Sequence, residues 1–331
     1  MLISKVKQIL LLFTKELKNN DISYALGGSL LLHLEGITTT VQDIDLLVDI
    51  NDHDKLQKVL KKYKFDYIKA NPKYRTEHFY TITINDIDID IMLGFKVQTE
   101  KGLYEFPFKI EKKIRINNQT INLSSIQEWL QAYKAMNRVD KIELITNHSE
   151  FKIETERLLI RKVCYEDKMS MYKYMSDKET LYYERSEPFT LETMDKLLSD
   201  IVPTGSFYSV KIKETAIHIG HIYFGINTPR DFKEFNIGYI FNKDFHNKGY
   251  CSEASRAIID YGFKHFNIHR VTAKCNPDNI ASWKVMEKIG LLKEGHLKER
   301  VCFKKDELGN PIWWDEYIYG ITKINWLKKS V

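Results

Sequence analysis

Residues 235–254 read FNIGYIFNKDFHNKGYCSEA. They give an apolar strand (Phe235–Phe241), a polar turn, the loop His246-Asn247-Lys248-Gly249-Tyr250-Cys251, and a helix opening at Ser252-Glu253-Ala254. A glycine-bearing loop that runs from a strand into a helix start turns several N–H groups and the positive helix end toward one point. That is the requirement of a pyrophosphate cradle. Alone the loop decides little; its surroundings decide the fold.

On either side the pattern stays mixed. Strands are expected at Arg157–Val163, Ser206–Lys211, Ala216–Ile226, Arg270–Cys275 and Tyr317–Ile321. Helices are expected at Asp167–Ser176, Leu191–Ile201, Ser252–His265 and Ala281–Ile289, the last stopped by Gly290. This is an α/β domain of ordinary size, over residues 151–331.

The first half carries a different signature. Gly27-Gly28-Ser29 sits between a short strand (Ser23–Leu26) and a helix (Ser29–Glu35). Asp43-Ile44-Asp45 begins the strand Ile44–Val48, and Asp88-Ile89-Asp90 lies in Ile87–Met92, paired with Tyr80–Ile84 around Asn85-Asp86. Helices are expected at Ile3–Asn19, His53–Tyr63 and Ser124–Met136. Carboxylates two apart on a strand share a face, so Asp43 and Asp45 can hold metal together and Asp90 can add a third oxygen. Magnesium takes hard oxygen ligands and keeps phosphate oxygens in its shell, and two such ions can serve an in-line phosphoryl displacement. Gly27 and Gly28 admit backbone amides close to a triphosphate, and Ser29 offers a hydroxyl at a helix start. Asp88 shares a face with Asp90 and competes for its role; the apolar Ile91-Met92 that follows favours Asp90. Lys134, Arg138 and Lys141 fall on one helical face by spacing, either to meet phosphates or as a solvated basic surface.

The whole chain has 331 residues, 43% hydrophobic and 29% charged, which suits two globular cores. A net charge of +5 fits phosphate-bearing ligands without demanding nucleic acid. Cys164, Cys251, Cys275 and Cys302 have no paired spacing, which argues against a zinc site or a disulfide framework and for a reducing cytoplasm. The apolar run Ile9–Phe13 is too short to span a membrane. The ten histidines show no ligand spacing. Asn147–Phe151 reads as a linker, with the first domain over residues 1–147.

The glycine turn and three carboxylates resemble the polymerase-β-like nucleotidyltransferase superfamily in its small bacterial branch, over residues 1 to about 145. The resemblance implies a mixed sheet with helices, Asp43 and Asp45 as the metal pair, Asp90 as third acid, and an NTP with Mg²⁺. In the second half, Thr155-Glu156-Arg157-Leu158-Leu159-Ile160-Arg161, the loop at 246–251, Asn276-Pro277-Asp278-Asn279-Ile280-Ala281-Ser282-Trp283 and Met286–Gly295 together resemble the GNAT acetyltransferases. The nearest branch acetylates ribosomal-protein N-termini and also contains small-amine acetyltransferases. The resemblance implies acetyl-CoA between two splayed strands of a mixed sheet, its pyrophosphate on Asn247, Lys248, Gly249, Tyr250, Cys251 and Ser252 with His246 at the loop start. Asn279 would orient the cofactor arm and Ser282 would protonate the leaving thiolate. Where the family has glycine this chain has Asn247, and where it has Gln, Arg or Trp this chain has His246. Its frequent strand glutamate is Asn236, which leaves Glu234, two residues earlier, or a water chain as the base. Cys251 reads as a small packed residue rather than a nucleophile. Trp313 and Trp314 line an acceptor pocket or belong to a strand-end cluster. By analogy the expected acceptor is an amine- and hydroxyl-bearing small molecule of aminoglycoside type, modified by both domains, or else a protein or peptide N-terminus, with the first domain a catalytically silent binding or toxin-type module.

Overall fold

The computed structural model describes residues 3–38 and 40–329; the outermost ends of the two expected domains, 1–2 and 330–331, lie outside the described residues. The chain divides into two compact units, Met1–Glu150 with Asp195–Thr204, and Phe151–Met194 with Gly205–Val331. Both are mixed α/β.

The first unit runs α1 (Ile3–Asn19), β1 (Tyr24–Gly27), α2 (Gly28–Leu34), β2 (Ile44–Val48), α3 (His53–Leu60), β3 (Phe65–Tyr67), β4 (His78–Ile84), β5 (Ile87–Leu93), β6 (Lys96–Thr99), β7 (Gly102–Glu105), β8 (Lys112–Ile116), β9 (Gln119–Leu123), α4 (Ile126–Met136) and α5 (Val139–Glu150). Its main sheet has the order β3-β4-β5-β2-β1-β9-β8. α1 buries Val6, Ile9, Leu10, Phe13 and Leu17, one face at helical spacing. β5 buries Ile87, Ile89 and Ile91 and turns Asp88 and Asp90 to its other face, as the two-residue period requires. The Ser125 hydroxyl caps α4 through the Glu128 amide, and Asn137 ends the helix with φ of 60°. Residues 147–150, read above as linker, are the last turn of α5.

The chain continues in the second unit with β10 (Ile153–Glu154), β11 (Leu158–Lys162), α6 (Lys168–Met175), α7 (Leu191–Ile201, of which residues 195–201 belong to the first unit), β12 (Phe207–Ile212), β13 (His218–Ile226), β14 (Glu234–Phe241), α8 (Tyr250–His265), β15 (Arg270–Cys275), α9 (Ile280–Ile289), β16 (Leu292–Lys305), β17 (Pro311–Thr322) and α10 (Lys323–Lys329). The sheet order is β10-β11-β12-β13-β14-β15-β17-β16. Its core joins Ile160, Val210, Ile222 and Ile237 from the sheet to Ile258, Ile259 and Phe263 of α8. β14 and β15 are parallel and pair only from Glu234↔Arg270 to Asn236↔Thr272. Beyond that rung the two strands no longer pair although both continue, so the sheet opens. The Asn236 amide donates to the Thr272 carbonyl at 3.3 Å and closes the paired end. α8 starts two residues earlier than expected, at Tyr250, with Gly249 as its N-cap.

Candidate active sites

In the first unit, β1 pairs antiparallel with β2 so that Gly27 faces Asp45, and β2 pairs parallel with β5 so that Asp45 faces Asp90. One register therefore joins the glycine turn to two acids, and the pleat adds Asp43. The ligand oxygens of Asp43, Asp45 and Asp90 lie within 4.8 Å of one another. Burial, then the charges of Asp43 and Asp90, push the Asp45 carboxyl well above its ordinary range. Burial also raises Asp90, against the Thr81 hydroxyl that donates to it at 2.7 Å. Asp88 is exposed and takes the Thr83 hydroxyl at 2.7 Å, outside the cluster.

Both glycines are sterically required. A Cβ on Gly27 would come within 2.1 Å of the Trp129 indole. Gly28 has φ of +59°, and a Cβ there would meet Asp45 Oδ2 at 1.6 Å. The backbone thus passes directly beside the acid cluster. Ser29 stands in the first turn of α2, as expected, and its buried hydroxyl donates to Asp43 Oδ1 at 3.3 Å and accepts the Gln42 amide at 3.1 Å. It holds the acidic loop. Lys134, Arg138 and Lys141 do not share one helical face, because Asn137 breaks the helix after Lys134 and α5 begins at Val139.

In the second unit the loop at 246–249 carries two left-handed residues, Asn247 at φ 59° and Gly249 at φ 79°. Asn tolerates that region better than most side chains, which explains how it can stand where the resembled family has glycine. Arg157, Asn247, Lys248, Gly249, Ser252, Arg256 and Lys288 surround a recess at the start of α8. Arg157 braces it: its guanidinium bonds Glu253 at 2.7 Å and the Lys248 carbonyl at 3.1 Å, and stacks over Tyr250 at 4.5 Å. The Glu253 carboxylate also takes the Thr155 hydroxyl. The motif at the start of the domain is therefore the support of the loop. His246 turns its ring back, with Nε2 donating to the Phe241 carbonyl at 3.0 Å. Burial pushes the Cys251 thiol up to about 12, which leaves it without thiolate character.

The opening between β14 and β15 is a cavity of about 320 Å³. Tyr239, Asn279 and Ser282 line one part, and Tyr183, Glu184, Tyr223, Phe303, Trp314 and Glu316 another. Asn279 Oδ1 caps α9 by accepting the Ser282 amide at 3.2 Å, so its amide nitrogen is the end left for a ligand. The Tyr239 hydroxyl donates to the Ser282 carbonyl at 2.9 Å and lies 3.3 Å from Ser282 Oγ. Burial holds that phenol well above its ordinary range, hence protonated. Trp314 faces the cavity and Trp313 is exposed.

Glu234 does not serve as the sequence reading expected. It lies at the paired end of the strands, outside the cavity lining, and is held by Asn227 at 2.7 Å, Thr272 at 3.3 Å and Arg270 at 3.3 Å. These contacts occupy the carboxylate away from the cavity. Arg157, Arg256, Lys288 and Glu184 were not assigned as site residues from sequence. Only Arg157 had a local signal, its place in the motif at 155–161; the others come together through the sheet.

Residues 157–292 match the family model described as Acetyltransferase (GNAT) domain. The uncharacterized N-acetyltransferase YnaD of Bacillus subtilis is 40% identical over 179 residues, 53% of this chain and 98% of that protein. The chain belongs to the GNAT acetyltransferase family. The uncharacterized N-acetyltransferase p20 of Bacillus licheniformis is 34% identical over 151 residues, 44% of this chain and 84% of that protein. A solved GNAT-family acetyltransferase from Bacillus anthracis is 36% identical, covering 53% of this chain and 99% of its own, with a TM-score of 0.48. Residues 9–147 match the model described as Aminoglycoside-2''-adenylyltransferase. This acetyltransferase therefore carries an adenylyltransferase-like N-terminal domain, and acetyl-CoA is the acyl donor its family implies. Among the described residues no helix is long and apolar enough to cross a membrane.

Proposed function

We propose that the protein modifies a small molecule bearing amines and hydroxyls, of aminoglycoside type, acetylating a primary amine and transferring a nucleotidyl group to a hydroxyl. The acetyltransferase domain spans 151–331 and the nucleotidyltransferase-like domain 1–147. The observation that carries the first activity is the strand opening beside the braced loop: Asn247–Ser252 offers backbone N–H groups to the pyrophosphate, and the opening admits the acyl arm. Asn279 orients that arm, and Ser282 with Tyr239 supplies the proton to the departing thiolate.

For the second activity, Asp43, Asp45 and Asp90 supply three oxygens close enough to share a cation, in a place where burial and then the like charges of Asp43 and Asp90 raise the Asp45 carboxyl. They would hold Mg²⁺, which when bound neutralises the triphosphate charge. Gly28 lets the backbone pass beside that site without a side chain entering it. Four free cysteines suit a cytoplasmic enzyme.

Isothermal titration of the full chain with acetyl-CoA, and with ATP in the presence and absence of magnesium, tests the reading. Acetyl-CoA binding and metal-dependent ATP binding are expected. ATP binding indifferent to magnesium would reduce the acid cluster to scaffold.

A further inference from the structure

With Glu234 tied to Arg270, the reaction lacks a proton acceptor, and the cavity supplies one. Its lining contains two glutamates, Glu184 in the segment between α6 and α7, and Glu316 on β17. Glu316 has Lys274 at 3.7 Å. The Glu184 carboxylate has no hydrogen bond and no ion pair among the described residues, although it is half-buried. Lys304 acts on it from a distance but is itself paired with Glu187 at 2.9 Å. A partly desolvated carboxylate with no partner is unfavourable until a cation arrives. Beside it stand rings that suit an alkylammonium: Trp314 lies against Tyr182 at 6.3 Å, Tyr183 at 6.1 Å and Phe303 at 6.2 Å between centroids, and Tyr223 closes the lining.

We propose that Glu184 is the base that takes the proton of the acceptor ammonium, in an amine subsite walled by Tyr183, Tyr223, Phe303 and Trp314. This rests on the acetyltransferase reading above and assigns its acceptor side. The ammonium enters against the carboxylate and the ring faces. Glu184 takes one proton, which leaves a neutral amine and a carboxylic acid. The nitrogen lone pair forms the C–N bond at the thioester carbonyl, and collapse of the adduct breaks the C–S bond. The sulfur takes the second nitrogen proton by way of the Tyr239 hydroxyl, and Glu184 returns the first to solvent. The products are the amide, the free thiol and one proton.

Burial raises the Glu184 carboxyl above its ordinary range, toward the value a base needs near neutrality. Besides the tyrosines, the other titratable groups facing the cavity are His221 from β13, Glu316 from β17, and Lys274 and Cys275 from β15, with Lys304 and Glu187 beyond them; burial pushes the Cys275 thiol up to about 11. Burial pushes His221 down to about 3, so it stays neutral through the range of the assay. With His221 neutral, the acid limb of the rate profile is expected to follow Glu184.

The test uses the full chain, acetyl-CoA, and a panel of butylamine, putrescine, kanamycin and a peptide with a free N-terminus, read by thiol release. Calorimetry first measures acetyl-CoA affinity in wild type and Glu184→Gln. Loss of binding in both would overturn the acetyltransferase reading itself, and the inference with it. With binding intact, Glu184→Gln is expected to lower kcat about 100-fold or more on every amine that wild type acetylates, within the range of general base catalysis. The acid limb should vanish in Glu184→Gln, return in part in Glu184→Asp, and keep its position in Glu316→Gln. Three results would each overturn the assignment: an unchanged kcat with only KM raised, an acid limb that survives Glu184→Gln, or a panel in which no amine is acetylated although acetyl-CoA binds.

Discussion

The cluster in the first unit is made of side chains, and the loop in the second is made of backbone. Asp43, Asp45 and Asp90 bring three carboxylates within 4.8 Å at the expense of a raised Asp45. The loop at 246–249 instead presents N–H groups and braces them with Arg157 and Glu253. The contrast teaches where substitution is tolerated. A side-chain site keeps its residue types and the glycines that give them room. A backbone site keeps its shape, and can accept Asn247 at φ 59° because the function lies in the main chain.

Gly28→Ala should break the comparison most sharply. Its Cβ would lie 1.6 Å from Asp45 Oδ2 with φ at +59°, so either the turn or the acid must move. Overpacking and a left-handed alanine together suggest roughly 3 kcal/mol of lost stability. Metal-dependent ATP binding should disappear, read by titration with and without magnesium. A variant that melts and binds like wild type would show that the turn does not pass beside Asp45.

Asp45→Asn separates charge from space. Metal-dependent ATP binding should fall by more than about 100-fold, beyond what outer-shell partners contribute. Stability should move the other way. An acid whose folded pKa lies above its unfolded value holds its proton longer when folded, so the metal-free protein loses stability as pH rises through that interval. Asn removes the repulsion, and the metal-free melting temperature at neutral pH should rise. A fall would mean that the cluster is not strained by like charge.

Ser282→Ala and Tyr239→Phe sharpen the second site. Each should lower kcat about 100-fold while leaving acetyl-CoA affinity nearly unchanged, as expected for groups acting on a leaving thiolate. Because the two hydroxyls lie 3.3 Å apart, the double variant should be little slower than either single one. Multiplicative losses in steady-state kinetics would show two separate proton routes.

The same contrast governs how much could be read from sequence. Asp43, Asp45 and Asp90 were legible because identity and the two-residue period suffice to place them on one face. The strand–loop–helix at 235–254 was legible because each element has its own period. The hairpin β16–β17 was not, apart from Tyr317–Ile321: Leu292–Lys305 is largely exposed and charged, so no alternation marks it. Glu234 was misread because Arg270, which occupies it, is 36 residues away and meets it only across the parallel register. Lys134 and Arg138 were misread although Asn137 between them is a helix-stop residue, a signal outweighed by the spacing of the cations. Glu184 carries no local sign at all. It is one of several charges in an irregular segment, and only the folded, splayed sheet gives it a cavity and leaves it unpaired among the described residues.

Gly249→Ala is expected to do least, and that is the point of the comparison. Gly249 has φ of +79°, as Gly28 has +59°, so both pay for a side chain in backbone strain. The space differs. A Cβ on Gly249 would meet only Arg157 Nη2 at 3.5 Å and Lys288 Nζ at 3.8 Å, ordinary contacts with the ends of flexible side chains. The loss should therefore be the left-handed term alone, about 1–2 kcal/mol, with acetyl-CoA affinity lowered only a few-fold because the N–H directions are kept. Gly249→Glu starts from the same Cβ but adds bulk and a negative charge beside the recess lined by Arg157, Arg256 and Lys288, and should abolish acetyl-CoA binding. Calorimetry on the two variants separates shape from charge. If alanine were as damaging as glutamate, the recess would be limited by space, as at Gly28, and the tolerance claimed for a backbone site would not hold.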